Sequence, residues 1–296
     1  MKRKIINTII LSFIVLGIIP VFGSDTFAQQ QVDVEYMAAT RETRSDSRML
    51  YHEGPIMAYT SNTYFLWYGN WSDRPGSVAI LNDFITSIGG SSYMAINSTY
   101  PNNSGQSPSG GLVFGGGVGD LYSHGSSLTE ADVEDIVADA LETGALPQDT
   151  RGIYFVLASP DVTADGFCTQ RCQYHKHFAP FGADIKYAFV GNPDRCPASC
   201  APQFRTSADA PNADRAADAM ASWIAHVINE VVTNPTGTAW YDRYGLENSD
   251  KCAGKYGETY LTPNGGIANI RLGFRDYLIQ QNWVNGRKGR CALSYP

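Results

Sequence analysis

Six cysteines, Cys168, Cys172, Cys196, Cys200, Cys252 and Cys291, constrain this chain more than any other feature. In an oxidising compartment an even number of thiols closes into disulfides, and six thiols allow fifteen pairings. In a reducing one, Cys168-x-x-x-Cys172 and Cys196-x-x-x-Cys200, with His175 and His177 nearby, resemble a four-ligand structural zinc site. The N-terminus favours the first. Lys2, Arg3 and Lys4 precede an apolar run from Ile5 to Phe22, and small residues follow at Gly23, Ser24 and Ala28. That layout is a secretory signal peptide, with cleavage after Gly23 or Ala28 fitting equally well. An uncleaved anchor is the alternative, but the run is near the lower limit for spanning and Pro20 and Gly23 interrupt its end. The expected organisation is a signal over residues 1–28, a polar lead-in over 29–48 and one domain over 49–296. No later stretch is apolar and long enough to span a bilayer, so a secreted protein with no membrane span after cleavage is expected, its cysteines paired rather than metal-bound.

The apolar content of 43% and aromatic content of 12% supply a real core. The net charge of −7, without a long run of either sign, argues against a nucleic-acid partner. Asn70-Trp-Ser, Asn97-Ser-Thr and Asn102-Asn-Ser are glycosylation acceptors in a eukaryotic host, although such triplets also arise by chance in an Asn- and Ser-rich chain.

Thr63 to Tyr68, Gly152 to Ala158 and Ile185 to Val190 are short, nearly continuous apolar runs and read as buried strands. Ser92 to Asn97 reads as a further strand. Ser77 to Ile88 carries Val78, Leu81, Ile85 and Ile88 at helical spacing and stops at Gly89-Gly90. Thr129-Glu-Ala-Asp132 resembles a capping box and opens a helix through about Leu141. Asn212 to Val232 is the longest helical candidate, with Met220, Ile224, Val227, Ile228 and Val231 as its buried stripe and Asn234-Pro235 as its stop. Asn102 to Gly119, rich in Gly, Ser and Asn, reads as a flexible or tightly turning segment; no Lys-Ser/Thr follows its glycines, so it is no phosphate loop. Phe274 to Gln281 holds a helix or a strand. The order of elements gives the fold class: mixed α/β (α+β), a single domain with a mixed sheet flanked by helices, zincin-like and disulfide-stabilised.

The chemistry concentrates on the long helix. His226 and Glu230 are four residues apart and project from one face, on the flank of the apolar stripe beside Trp223. Downstream come Asn234-Pro235, Ala239-Trp-Tyr-Asp242 and Gly245-Leu-Glu-Asn-Ser-Asp250-Lys-Cys252. This stretch resembles the active-site helix of zincin-type metallopeptidases. That resemblance implies His226 and Glu230 as zinc ligands, with Asp242, Glu247 or Asp250 completing the site. The general-base position of such a helix is Val227, which cannot take a proton, so the usual hydrolytic mechanism lacks its central part. The plain alternative is a side-chain pair at i, i+4.

A wider resemblance rests on motifs in a fixed order: Tyr51-His-Glu-Gly-Pro55, Phe65-Leu-Trp-Tyr-Gly69, Ser126-Ser-Leu-Thr129, Gly152-Ile-Tyr-Phe-Val-Leu-Ala-Ser159, Gly166-Phe-Cys-Thr-Gln-Arg-Cys172 with His175, Tyr187-Ala-Phe-Val-Gly-Asn192, Cys196-Pro-Ala-Ser-Cys200 and Val232-Thr-Asn-Pro235. Together they resemble the secreted phosphate-induced (EXORDIUM-like) family. The resemblance implies an extracellular protein of the cell wall or apoplast, linked to growth and nutrient responses, and brings no enzymatic activity residue by residue.

Three functions follow as expectations. The first is a secreted protein that acts by binding, on a wall polymer or another extracellular partner. The second is a divergent metal-dependent hydrolase using His226 and Glu230. The third is a carbohydrate-binding module presenting Trp67, Tyr68, Trp71, Tyr93 and Tyr100, though those rings sit on core-like strands. Of the other histidines, His52 reads as packed or capping and His124 as exposed. His175 and His177, between the cysteine pairs, offer a second metal site, which disulfides would deprive of thiolate ligands.

Overall fold

A computed structural model describes residues 48–296, which lie within one compact unit. The expected signal peptide, and the lead-in up to Ser47, lie outside the described residues. Among these, no helix is long and apolar enough to cross a membrane.

A five-stranded sheet forms the centre, and the short strands β1 (Met49–Tyr51), β4 (Ser127–Leu128), β6 (Thr163–Ala164), β10 (Tyr260–Leu261), β11 (Ile267–Ala268) and β14 (Asn282–Val284) pair outside it. The central strands are β2 (Ser61–Tyr68), β3 (Leu112–Asp120), β5 (Gly152–Ala158), β7 (Gln173–Phe178) and β8 (Ile185–Val190), in the order β3-β2-β5-β8-β7. β3, β2, β5 and β8 run parallel, and β7 closes one edge antiparallel to β8. Parallel strands covered on both faces are apolar at every position rather than at alternate ones. β5 and β8 are accordingly buried at every residue.

Strand alternation sorts the two faces. Phe65, Phe155, Leu157, Ala188 and Val190 face α1 (Pro75–Ile88) and α4 (Arg215–Thr233). Tyr64, Leu66, Tyr154, Val156, Tyr187 and Phe189 face α2 (Glu130–Glu142). α1 contributes Ile80, Leu81, Phe84, Ile85 and Ile88, and α4 contributes all five residues of its predicted stripe. At about 1.5–3 kcal/mol for each fully buried aliphatic or aromatic side chain, this face is the larger reservoir of stability. α2 starts at a true capping box: Thr129 Oγ1 accepts from the Asp132 amide, and the Asp132 carboxylate accepts from the Thr129 amide.

Two expectations fail here. Ser92 to Asn97 is not a strand; Met94–Thr99 forms a 3₁₀ turn, held by local bonds such as Thr99 Oγ1 to the Ile96 carbonyl. The glycine-rich segment is not flexible throughout: its last eight residues, 112–119, lie in β3. Its glycines let an edge strand lie against aromatic rings. A Cβ on Gly115 would stand 2.3 Å from the Tyr64 ring, and one on Gly117 2.9 Å from the Trp67 indole nitrogen. The sequence Phe274 to Gln281 contains a strand, β13 (Arg275–Tyr277), paired with β12 (Ile270–Leu272).

The six cysteines form three disulfides, Cys168–Cys196, Cys172–Cys200 and Cys252–Cys291. That removes the thiolates a cysteine zinc site would need. The first two bridges join the approach to β7 with the short helix α3 (Pro197–Cys200), and the third ties the loop after β9 (Trp240–Asp242) to β15 (Arg290–Ala292).

Candidate metal centre

α4 begins where Asp214 accepts from the Ala217 amide and ends at Asn234, whose amide donates to the Glu230 carbonyl. The apolar stripe faces the sheet, which carries His226 and Glu230 to the neighbouring side of the helix. Both are buried, at 2% and 3% exposure. Trp223 lies beside His226, its ring 6.0 Å away, and its indole donates to the Cys200 carbonyl at 2.8 Å.

Three further side chains meet this pair. His175 comes from edge strand β7. It is paired in register with Ala188, so it points to the α4 side of the sheet. Its Nε2 lies 3.0 Å from Glu247 Oε2 and 3.7 Å from Glu230 Oε2. Glu247 and Asp250 come from the loop after β9. Asn234 Nδ2 donates to Glu247 Oε1 at 2.7 Å, and the Glu247 amide donates to Asp250 Oδ2 at 3.2 Å. Asp250 Oδ1 stands 3.7 Å from His226 Nε2. The donor atoms fall into two groups, His175/Glu230/Glu247 and His226/Glu230/Asp250, each with all its atoms within 4.8 Å of one another.

Asp242 is not brought into the cluster. It is fully buried, accepts from the amides of Tyr244 and Leu246, and lies 3.3 Å from Lys251 Nζ. Its place is structural: it shapes the loop that delivers Glu247 and Asp250. A network of buried amides fixes the same loop. Asn248 Nδ2 donates to Asn97 Oδ1 and to the Asn229 carbonyl, Asn97 Nδ2 donates to Asn229 Oδ1, and Ser249 Oγ donates to the His226 carbonyl.

His226 Nε2 and Glu230 Oε1 lie 2.7 Å apart without the angle of a good hydrogen bond, and Asp250 Oδ1 stands 3.7 Å from the same nitrogen. Each nevertheless acts on the other's protonation as a hydrogen-bonding neighbour. Buried polar atoms so poorly satisfied are costly enough to need a reason. Nδ1 of each imidazole also lacks a protein hydrogen bond of good geometry, with the Gln280 side chain the neighbour that acts on His226.

The electrostatics agree. Burial opposes charge on His175, but Glu247, then Glu230 and Asp250, raise its pKa to about 9. Burial likewise opposes charge on His226, and Glu230 and Asp250 again raise its pKa above the usual value. Glu230 is raised by burial, with His226 opposing and Asp250 and Glu247 adding to the rise. One buried carboxylate and two that reach solvent therefore draw positive charge to the two imidazoles. Two imidazoles and three carboxylates suit zinc or a similar first-row divalent ion.

The remaining histidines lie elsewhere. His52 stacks on Tyr241, His124 pairs with Asp139, and His177 pairs with Asp184 at the surface. Of the glycosylation triplets, Asn70 is exposed and Asn102 half-buried, whereas Asn97 is fully buried in the amide network and offers no surface acceptor. Tyr68, Trp71, Tyr93 and Tyr100 are buried and Trp67 is partly so, which takes these rings away from a sugar-binding face. Nothing in the sequence pointed from His175 to the helix, because only the register of β7 against β8 aims it there.

A family model described as the phosphate-induced protein 1 conserved region matches residues 49–270. The chain is 32% identical to Protein EXORDIUM-like 5 of Arabidopsis thaliana, covering 82% of this chain and 73% of the relative. It is 31% identical to Protein EXORDIUM-like 3 of the same plant, covering 80% of each. It is 29% identical to Protein PHOSPHATE-INDUCED 1 of Nicotiana tabacum, covering 70% of this chain and 72% of the relative. No solved structure matches it significantly.

Proposed function

This chain belongs to the phosphate-induced protein 1 family, and from that premise we propose that it is a secreted, EXORDIUM-like metalloprotein that acts by binding. The observation that carries the metal is the convergence of His226, Glu230 and Asp250, with His226 Nε2 and Glu230 Oε1 buried, 2.7 Å apart and unaligned. His226 and Glu230 would hold the ion from the helix and Asp250 from the loop. When bound, a zinc ion supplies a Lewis acid and locks helix to loop. Asn234 orients Glu247, and the amide network around Asn248 holds both loop carboxylates in place.

Binding is preferred to hydrolysis because Val227, at the general-base position, is fully buried in the apolar core against the sheet, so no side chain there can take a proton. Three disulfides and the absence of a membrane-spanning helix among the described residues support the extracellular setting.

The test is metal analysis of the purified protein beside its His226→Ala variant. Stoichiometric zinc in the first and a loss in the second is the expected result; no stoichiometric metal in either ends this reading. The hydrolase reading retains one observation in its favour: the side chains of Glu247 and Asp250 are 17% and 28% exposed, open enough to act on a ligand from outside. Metal-dependent release of amines from a mixed peptide library, abolished by Glu247→Gln or Asp250→Asn, would establish it. Its absence at full metal occupancy would dismiss it.

A further inference from the structure

Resting on the metal reading above, we infer that the cluster is a two-ion centre, with Glu230 as a bridging carboxylate between two divalent cations of the zinc class.

The geometry of Glu230 is the starting point. Its two oxygens face different imidazoles: Oε1 lies 2.7 Å from His226 Nε2, and Oε2 lies 3.7 Å from His175 Nε2. Each imidazole has its own second carboxylate, Asp250 Oδ1 at 3.7 Å for His226 and Glu247 Oε2 at 3.0 Å for His175. The result is two sets of one nitrogen and two oxygens that share only Glu230. Neither set contains both imidazoles within 4.8 Å, so five donors do not close around one point. Zinc–ligand bonds of about 2.0–2.2 Å place neighbouring donors roughly 3–3.6 Å apart, a spacing bracketed by the 2.7 and 3.7 Å distances of the His226 set and the 3.0 and 3.7 Å distances of the His175 set. A carboxylate bridging two ions suits metals about 3.5–4 Å apart.

Charge points the same way. Glu230, Glu247 and Asp250 carry three negative charges when ionised, and one divalent ion leaves the cluster anionic. Two ions overcompensate slightly, which water-derived ligands can balance. The scaffold is also built for both halves. Asn234 holds Glu247 Oε1 and so turns Oε2 to His175. The Glu247 amide holds Asp250 Oδ2 and so turns Oδ1 to His226. One short loop thus delivers a carboxylate to each set. The Cys172–Cys200 bridge fixes the start of β7 three residues before His175, and Trp223 on α4 bonds the Cys200 carbonyl, so the far half is tied to the same helix as the near half. Glu230 Oε1 and His226 Nε2 are polar atoms without a well-aligned protein hydrogen bond, on side chains only 3% and 2% exposed, a setting that a bound cation would satisfy.

The test is a count. Full-length protein freed of metal with a chelator is titrated with zinc, and bound zinc per chain is measured after desalting, for wild type, His175→Ala, His226→Ala and Glu230→Gln. Near-UV circular dichroism checks that each variant is folded. Two zinc ions per wild-type chain, one in each histidine variant, and at least tenfold weaker binding of both ions in Glu230→Gln is the expected result. One ion in wild type overturns the two-ion centre while leaving the metal reading intact. Two ions that both survive His175→Ala overturn it as well, because the second would then lie outside this cluster. No zinc in wild type overturns both readings together. If an alanine variant fails to fold, His175→Gln or His226→Gln takes its place in the same count, with the same loss of one ion expected.

Discussion

Asn97 is the hub of the scaffold behind the cluster, and replacing it should reveal how the loop carboxylates are held. Its Nδ2 donates to Asn229 Oδ1 at 2.7 Å, and its Oδ1 accepts from Nδ2 of both Asn248 and Asn282 at 3.2 Å. All four residues are fully buried. Asn97→Ala strands the Asn229 oxygen and the Asn282 amide, while Asn248 keeps its bond to the Asn229 carbonyl at 3.1 Å. Each stranded buried group costs about 1–3 kcal/mol, so the variant should lose about 3–4 kcal/mol. With a urea m-value of about 2–3 kcal/mol/M, the unfolding midpoint should fall by about 1–2 M. The assay is equilibrium urea unfolding followed by tryptophan fluorescence, disulfides intact, with and without zinc. Because Asn248 sits between Glu247 and Asp250, the stabilisation by zinc should shrink too. A loss below about 1 kcal/mol would mean that the amides are not cooperating and that the loop is held by something else.

The other expectations are narrower. Replacing both Cys172 and Cys200 by Ser leaves the parallel Cys168–Cys196 bridge closed, so the loop opened is only about ten residues and by chain entropy costs about 2.7 kcal/mol; thermal unfolding measures it, and an unchanged midpoint would refute it. Lys251→Met leaves the fully buried Asp242 carboxylate without its ammonium and should cost about 3–5 kcal/mol in urea unfolding; a stability gain would instead show that the pair is a net burden. Asp218 is pushed up to about 7, first by burial, with the Asn212 bonds and Arg275 opposing and Asp214 adding. The unfolded carboxyl ionises near 4 while the folded one keeps its proton until about 7, so stability should fall as pH rises through that window, by roughly 4 kcal/mol at most. Asp218→Asn should flatten the slope between pH 4 and 7, and an equal slope in both proteins would refute it.

Much of the fold could be read from periodicity. The helices α1, α2 and α4 and the strands β2, β5 and β8 carry unbroken apolar patterns, and their partners need not be known to recognise them. β3 could not be read that way. Its alternation of glycines looks like a loop until Tyr64 and Trp67 are placed beside it. The Met94–Thr99 turn has strand-like composition but is set by local hydrogen bonds that composition does not encode. The site divides similarly. The i, i+4 spacing of His226 and Glu230 is visible in one dimension. Choosing among Asp242, Glu247 and Asp250 requires knowing that Lys251 turns back onto Asp242. His175 is invisible without the sheet, since its aim depends on pairing with Ala188 and on two disulfides whose connectivity six cysteines alone leave open.

The central claim is that the buried cluster between α4, β7 and the loop after β9 holds metal. Zinc-edge anomalous diffraction from crystals of the zinc-loaded protein tests it most directly. The expected map shows a peak within about 2.2 Å of His226 Nε2 and a Glu230 oxygen, with a second against His175 and Glu247. A map with zinc elsewhere, or with none at His226 and Glu230 and those two side chains in an aligned hydrogen bond, would contradict it.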